Sequence, residues 1–287
     1  MAALGRSVSF MTGLMLGRAF SVSAVPASTP KKVLIVSSHP NVGKSYSHIL
    51  IEAAKSALES DGHEVIISDL VESNFNPVGG PQDFLKLQRE DFFDYQGEQK
   101  HAVLSEDPEA GFAPELQREM DRFNWCDVVI HHFPIYWWSM PALHKGWIDR
   151  VLAYYWCYGG GIKRLAGKDW MIAVTTGGPS KVQLTGGWPA EGTDSVVNMM
   201  QNINMATPAM LGMNRLPLFL AGGPGAVGEE GRAAMIQEYV AHVRCYVGGT
   251  LKPEEVPEPV FSRSVHEWQH IKSGSYGTAP PTAGAEL

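Results

Sequence analysis

Hydrophobic positions change their period twice between Lys32 and Asp69. Lys32 to Ser37 is a short, mostly apolar run, which is typical of a strand buried on both faces. From Tyr46 to Leu58 the apolar residues recur at the spacing of an amphipathic helix. Asp61-Gly62-His63 interrupts that spacing, and Glu64 to Asp69 again has the composition of a strand. A strand, a helix and a second strand in this order predict a parallel sheet.

The later pattern predicts more elements of the same kinds. Residues 71 to about 114 have weak periodicity and many turn-forming residues, so we expect a long excursion with some helix. The predicted elements after it are a helix at 116–123, a strand at 127–132, a helix at 142–155, strands at 169–175 and 214–221, and a helix at 231–247. Pro217 favours an edge position for the fifth strand. Five strands alternating with helices predict a doubly wound α/β fold with helices on both faces of a parallel sheet.

Composition excludes several classes of protein. The 287 residues carry a formal net charge of −7, with no basic run longer than Lys31-Lys32, which argues against nucleic-acid binding. Three scattered cysteines are too few for a disulfide framework or a Cys-based metal site, so we expect reduced thiols and no metal. No apolar run has the length of a membrane span.

The first 30 residues differ in composition from the rest. They contain Arg6 and Arg18 and many small residues, and the first acidic residue of the chain is Glu52. This composition favours a mitochondrial targeting segment. The alternatives are a secretory signal around Phe10 to Leu16 and a disordered tail with no targeting role on a cytoplasmic protein. We therefore expect a segment at 1–30, a catalytic domain at 31–249 and a C-terminal extension, poor in core-forming residues, at 250–287.

In such a sheet, ligands bind beyond the carboxyl ends of the strands, where the strand order reverses. The first loop there, Ser38 to Ser45, precedes a helix whose first amides can bind a phosphate, and Ser45 can cap that helix or donate to the ligand. Gly43-Lys44-Ser45 looks like the end of a nucleotide-hydrolase P-loop, but Ser38 stands where that motif needs glycine. We therefore favour phosphate binding without nucleotide hydrolysis.

The second loop contains adjacent aromatic residues, Tyr136, Trp137 and Trp138. They could form a flat apolar surface for a planar redox ring, or they could simply pack against the core. His144 and Lys145 could give this region a positive field, although Lys145 could equally be a solvated helix residue. After the next strand, Gly177-Gly178 offers backbone amides for the polar edge of a ring.

Together these residues resemble the NAD(P)H:quinone oxidoreductase (DT-diaphorase-like) family of flavodoxin-like enzymes, which includes bacterial ancillary proteins of potassium efflux systems. The resemblance covers about residues 31 to 247. It rests on SSHPNVGKSYS after the first strand, NFNP at 74–77, FPIYWWSMPALHKGWIDRV at 133–151 and TTGG at 175–178. The resemblance implies a flavodoxin-like sheet with strand order 2-1-3-4-5.

The resemblance also implies a homodimer with a flavin in each active site, where hydride passes from NAD(P)H to the flavin and then to a quinone in a ping-pong cycle. FAD is favoured over FMN by chain length alone, and the preference for NADH or NADPH stays open. The cofactor-binding positions that it implies are His39, Ser45, Tyr46, Ser47, Pro134, Ile135, Tyr136, Trp137, Trp138, Thr175, Thr176, Gly177, Gly178 and Arg232.

The resemblance, together with the positions at which this chain differs from the family, implies the catalytic residues Trp137, Trp138, Tyr158 and Gln183. Tyr158 is expected to reach the active site of the partner subunit. Mammalian members carry a Tyr and a His shortly after TTGG, and this chain has neither there. Gln183 or a substrate-bound water would have to replace them, and Trp188 could shape the pocket. The alternatives to an enzyme are a flavin-binding regulatory subunit with low turnover and a passive electron carrier.

Overall fold

The computed structural model describes residues 29–89, 91–107, 109–178, 200 and 202–249. Within these residues, six strands form one parallel sheet in the order β2-β1-β3-β4-β5, and β6 also pairs with β4. The strands are β1 (Lys32–Ser37), β2 (Glu64–Asp69), β3 (Val128–Pro134), β4 (Asp169–Thr176), β5 (Asn214–Arg215) and β6 (Phe219–Gly222). The predicted fold class and strand order are therefore confirmed.

Helices pack on both faces of the sheet. The α-helices are α1 (Tyr46–Ser60), α2 (Tyr95–Leu104), α3 (Pro114–Trp125), α4 (Ala142–Val151), α5 (Thr207–Leu211) and α6 (Gly228–Val243). A 3₁₀ turn lies at Pro81–Asp83, and π-helical turns lie at Asn202–Ala206 and Arg244–Gly248. The predicted extension of α4 to residue 155 is wrong, because the backbone of Leu152 leaves the helical region. None of the helices in these ranges is long and apolar enough to cross a membrane.

Strand β1 illustrates why the sheet is covered on both faces. Leu34 and Val36 belong to the core shared with α3 and α4, whereas Val33 and Ile35 belong to the core shared with α1 and α6. All four side chains are fully buried. Burial of such a side chain contributes about 1.5–3 kcal/mol. A one-residue slip would exchange the two sets, so the register of β1 is fixed by packing on both sides.

The fifth predicted strand, 214–221, is divided in the structure. β5 ends at Arg215 and β6 begins at Phe219, and Pro217 lies between them. Proline has no amide hydrogen to donate to a neighbouring strand, so pairing with β4 is interrupted at this point. Both pieces lie beside β4 at the edge of the sheet, which confirms the edge position expected for Pro217.

Arg150, in α4, holds the long segment between β2 and α3 against the domain. Its Nη2 lies 2.8 Å from Oδ1 of Asp83, its guanidinium donates to the carbonyl of Asn76, and it lies 4.7 Å from the ring centre of Phe75. Tyr95 donates to the other carboxylate oxygen of Asp83 at 2.6 Å. Arg150 and Asp83 are both almost completely buried, so each compensates the charge of the other.

Replacing Arg150 with alanine is expected to lower the free energy of unfolding by about 3–5 kcal/mol, because Asp83 would remain buried without its counter-charge. Urea denaturation followed by circular dichroism measures this change. The control is Lys55→Ala, which removes a partly exposed ion pair with Glu59 and should cost less than about 1 kcal/mol. An effect of Arg150→Ala no larger than that of the control would contradict this role.

Candidate functional site

The carboxyl ends of β1, β3 and β4 surround a cleft of about 290 Å³. Hydrogen bonds join its walls: the Ser47 hydroxyl in α1 lies 3.0 Å from the Thr175 hydroxyl in β4, and the Ile135 amide donates to the Thr175 carbonyl at 2.9 Å. The lining residues are His39, Tyr46, Ser47, Pro134, Ile135, Tyr136, Thr175, Thr176, Gly177, Pro224 and Gly225. Nine of them are predicted cofactor-binding positions, which the fold brings together.

Pro224 and Gly225 were missed from the sequence. They follow β6, and the predicted strand at this edge gave no reason to assign its loop to the cleft. Gly223 donates its amide to the Thr176 carbonyl at 2.8 Å, which attaches this loop to the end of β4. A Cβ built at Gly225 or at Gly177 meets no atom within 4 Å, so both backbones face open space.

Ser45 caps α1, as predicted. Its hydroxyl accepts from the His48 amide at 3.3 Å, and its carbonyl accepts from the amides of His48 and Ile49. The amides of Tyr46 and Ser47 precede His48, the first amide that donates to the Ser45 carbonyl, so they have no acceptor within the helix, and both residues lie at its cleft end. Ser45 itself is only 8% exposed and is not among the residues that line the cleft.

A buried cluster behind this cap was also missed from the sequence. His48 Nδ1 lies 2.7 Å from the Ser45 hydroxyl, and His48 Nε2 lies 2.7 Å from Oδ2 of Asp69. The other oxygen of Asp69 accepts from the amides of Val71 and Glu72 at 2.9 Å each. The available signal was that His48 lies three residues after a predicted cap, while Asp69 ends a predicted strand at the same edge of the sheet.

His39 presents a neutral donor to the cleft. Its Nδ1 accepts from the Asn41 amide at 3.1 Å, so the ring proton is left on Nε2. Partial burial lowers the pKa of His39, and the nearby His48 lowers it further, against an opposing effect of Asp69. A neutral imidazole with a free N–H can donate to an anionic ligand.

The aromatic loop is a tight turn that leaves two tryptophans outside the cleft of their own chain. Tyr136 and Ser139 exchange backbone hydrogen bonds at 2.9 and 3.0 Å, and Trp137 and Trp138 between them have φ of 48° and 59°. Positive φ at two bulky residues costs on the order of 1–3 kcal/mol for each. Trp137 is 88% exposed and Trp138 is 41% exposed, whereas Tyr136 lines the cleft.

The expected positive field from His144 and Lys145 is not supported. His144 is fully buried, with Nδ1 at 3.0 Å from the Ser38 hydroxyl and Nε2 at 3.0 Å from Nδ1 of His131. Burial lowers the pKa of His144 to about 3, so the ring is neutral. Lys145 forms an ion pair with Asp149 one turn later in α4.

The remaining predicted residues lie around the cleft or outside the described chain. The Arg232 carbonyl accepts from the Tyr46 hydroxyl at 2.6 Å, and its guanidinium donates to the carbonyl of Pro224 at 3.4 Å, so Arg232 contacts two lining residues. The Gly178 carbonyl accepts from the Thr176 hydroxyl. Tyr158 accepts from Gln96 at 3.1 Å and does not line the cleft of its own chain. Gln183 and Trp188 lie outside the described residues.

Comparison with known proteins identifies the family. A sequence model of a protein family with a flavodoxin-like fold matches residues 31–243. The chain belongs to this family. NAD(P)H dehydrogenase [quinone] 1 of Rattus norvegicus is 33% identical over 153 residues, which are 52% of this chain and 54% of that protein. The first curated relatives are matched over only 54% to 66% of their own lengths.

Solved structures resemble the fold of the flavodoxin-like chain. An NAD(P)H:quinone oxidoreductase from Methanothermobacter marburgensis superposes with a TM-score of 0.56 at 23% identity, covering 76% of this chain and 96% of that one. The general stress protein 14 of Treponema denticola, solved in complex with FMN, has a TM-score of 0.50 at 21% identity and covers 75% and 98%. At these identities the likeness shows the fold alone.

Two histidines near the site give a testable dependence of stability on pH. Burial lowers the pKa of both His132 and His144 to about 3, whereas unfolded histidine has a pKa of about 6.5. Between those values the unfolded chain binds more protons, so stability is lost as the pH falls below about 6.5. Each histidine should remove about 2 kcal/mol by about pH 5.

Urea denaturation at about pH 7 and pH 5 tests this expectation. His132→Gln should reduce the acid-induced loss by about 2 kcal/mol, because glutamine does not titrate. A control at an exposed position of α1, Ser56→His, adds a histidine without burying it and should leave the loss unchanged. The same loss in wild type and in His132→Gln would contradict the explanation.

Proposed function

We propose that the protein is an NAD(P)H-dependent flavin oxidoreductase that reduces quinones or related acceptors. The observation that carries the proposal is the convergence of nine expected cofactor-binding residues on one cleft at the carboxyl ends of β1, β3 and β4. This is the place where an open parallel sheet binds ligands. The name of the rat relative, which contains NAD(P)H and quinone, supports the same reaction.

The residues at the cleft fit a flavin. The first amides of α1, the Ser47 hydroxyl and the neutral His39 ring are donors suited to a phosphate. Thr175, Thr176 and the open backbone of Gly177 suit the polar edge of a ring, while Pro134, Ile135 and Tyr136 offer it an apolar wall. A volume of about 290 Å³ is near the lower limit for small-molecule sites, so a dinucleotide such as FAD would extend beyond this cleft.

A bound flavin would supply the redox chemistry, namely acceptance of a hydride from NAD(P)H and its delivery to a quinone. The chain contributes binding, orientation and exclusion of water. The turn at Tyr136 to Ser139 fixes the aromatic wall, and the hydroxyl pair of Ser47 and Thr175 fixes the distance between α1 and β4. Such fixed geometry holds donor and acceptor in a productive arrangement. We favour FAD over FMN on chain length, although FMN is the flavin named for the Treponema structure.

We also propose a homodimer in which each copy completes the site of the other. Trp137 and Trp138 are bulky, have positive φ and are exposed next to the cleft, and Tyr158 does not line the cleft of its own chain. A second copy would cover these tryptophans and place its Tyr158 near them. Burial against a partner would offset the cost of the two residues with positive φ.

The other assignments rest on composition. We propose that residues 1–30 direct the protein to mitochondria, that 31–249 form the catalytic domain and that 250–287 are an extension. The support is the absence of acidic residues before Glu52 together with Arg6 and Arg18. A fluorescent fusion with and without residues 1–30 tests the targeting role.

The direct test is the visible absorption of the purified protein after supply of FAD or FMN. Retained flavin that bleaches when NAD(P)H is added without oxygen, and recovers on addition of a quinone, would establish the reaction. Retained flavin that bleaches slowly or not at all would instead favour a regulatory subunit. Absence of flavin binding would contradict the proposal.

Replacing Trp137 and Trp138 together with alanine should lower flavin retention at least about tenfold, because the part of the flavin that extends beyond the cleft would lose aromatic contacts of the kind worth about 1 kcal/mol each. Gel filtration and flavin fluorescence measure the retained fraction. Phe92→Ala is the control, since Phe92 is 61% exposed and distant in sequence from the loop. Unchanged retention in a folded double variant would exclude the aromatic loop from cofactor binding.

A further inference from the structure

Most of the hydroxyl groups in the cleft are already engaged within the fold. The lining side chains that end in a hydroxyl are Tyr46, Ser47, Tyr136, Thr175 and Thr176. Tyr46 and Thr176 each donate to a backbone carbonyl, at 2.6 and 2.9 Å. Ser47 and Thr175 lie 3.0 Å apart, so one of these hydroxyls donates to the other. The Tyr136 hydroxyl has no hydrogen-bond partner in the described part of the chain, so its proton is free for a ligand.

Tyr136 stands at the open end of the cleft. It is 44% exposed, whereas the hydroxyl-bearing residues Ser47, Thr175 and Thr176 are almost completely buried. The two backbone hydrogen bonds between Tyr136 and Ser139 hold the residue in its tight turn. A molecule that enters and leaves the cleft in every cycle therefore meets Tyr136, while the buried hydroxyls face a ligand that stays bound.

His39 is another lining side chain with a free proton, but it serves a different end of the cleft. It lies in the loop after β1, and its ring is 6.1 Å from that of His48 in the first turn of α1. This is the end at which we place the phosphate of the flavin. Tyr136 follows β3, whose last residue, Pro134, pairs with Thr175. Tyr136 therefore lies at the end proposed for the ring, where an acceptor must bind to receive hydride.

Reduction of a quinone places negative charge on one of its oxygens. The quinone takes up a hydride, which carries two electrons, and the electron pair of a carbonyl double bond moves onto the carbonyl oxygen. NAD(P)H is the reductant of the proposed function, and water at the open end of the cleft supplies the proton that completes the hydroquinone. A hydroxyl that is already in place stabilises the charged oxygen, because no group has to reorganise when the charge develops.

We propose that Tyr136 is a catalytic residue whose hydroxyl donates a hydrogen bond to the acceptor oxygen that becomes negative. The ring of Tyr136 remains part of the apolar wall, and the hydroxyl keeps its own proton throughout. The inference rests on the proposed function, since it needs a quinone in this cleft. Tyr136 thereby offers a donor from the loop after β3, in a chain that has no Tyr or His shortly after Gly178.

Tyr136→Phe tests the proposal, because it removes the hydroxyl and keeps the ring. The full-length, flavin-loaded protein is reduced with one equivalent of NAD(P)H without oxygen and is then mixed with a para-benzoquinone or with ferricyanide. Ferricyanide takes up electrons and has no carbonyl oxygen, so it needs no such donor. We expect the rate of reoxidation by the quinone to fall about ten- to a hundredfold in the variant, and the rate with ferricyanide to change less than about twofold.

Binding measurements separate this role from a structural one. The affinity of the oxidised protein for the same quinone, measured by quenching of flavin fluorescence, should change less than about threefold, because an uncharged carbonyl gains less from the hydroxyl than a charged oxygen does. The dissociation constant of the flavin should stay within about twofold of wild type, since the aromatic ring is kept. Circular dichroism confirms that the variant is folded.

Tyr246→Phe is the matched control, because it removes the same group from a tyrosine that does not line the cleft. It should leave the rates with both acceptors unchanged. An unchanged quinone rate in Tyr136→Phe, or an equal loss with quinone and ferricyanide, would overturn the inference and leave the proposed function intact. A wild-type protein that binds no flavin, or whose reduced form does not react with quinones, would instead overturn the proposed function, and the inference with it.

Discussion

The candidate site depends on the parallel, in-register pairing of β1, β3 and β4. In this pairing Ser37, the last residue of β1, lies beside His132, and His132 lies beside Ala173. From that level β3 continues to Pro134 and β4 to Thr176, so the three strands end near the same edge of the sheet. The loops that follow them must then converge, whatever their own sequences. The pairing is held in place by side chains packed on both faces, since a shift of one residue would turn buried aliphatic groups to the wrong core. Core packing therefore determines at which edge of the sheet the ligand-binding loops meet.

Two of the motifs that carry the family resemblance have structural roles behind the cleft. Gly146 lies against Pro77 of the NFNP segment so closely that a Cβ would meet the Pro77 carbonyl oxygen at 2.3 Å. Trp147 donates from its ring nitrogen to the buried Glu119 at 3.0 Å, and Arg150 bonds to the carbonyl of Asn76. These contacts attach the segment after β2 to α4. The specificity of the motif thus reflects close packing as much as ligand binding.

The sequence predicted the strands well because each is a continuous apolar run, and this pattern is typical of a sheet covered on both faces. It predicted β5 and β6 less well, since one proline without an amide hydrogen divides a segment that has uniform hydrophobicity. The cleft residues could be predicted because they directly follow strands. His48 and Asp69 could not, because the contact between them joins residues from two elements, and neither residue is unusual in its local context.

The protonation of buried groups separates the cleft into two chemical regions. His132 and His144 are fully buried, and burial lowers the pKa of both to about 3, so the groups beneath the apolar wall are neutral. Charge is concentrated instead at Asp69, near the N-terminus of α1. A neutral region suits a flat ring that must exchange hydride in a dry environment. There the Asp69 carboxylate accepts from the amides of Val71 and Glu72 and lies 2.7 Å from the ring of His48, so its hydrogen bonds are made within the fold and fix the start of α1 against the end of β2.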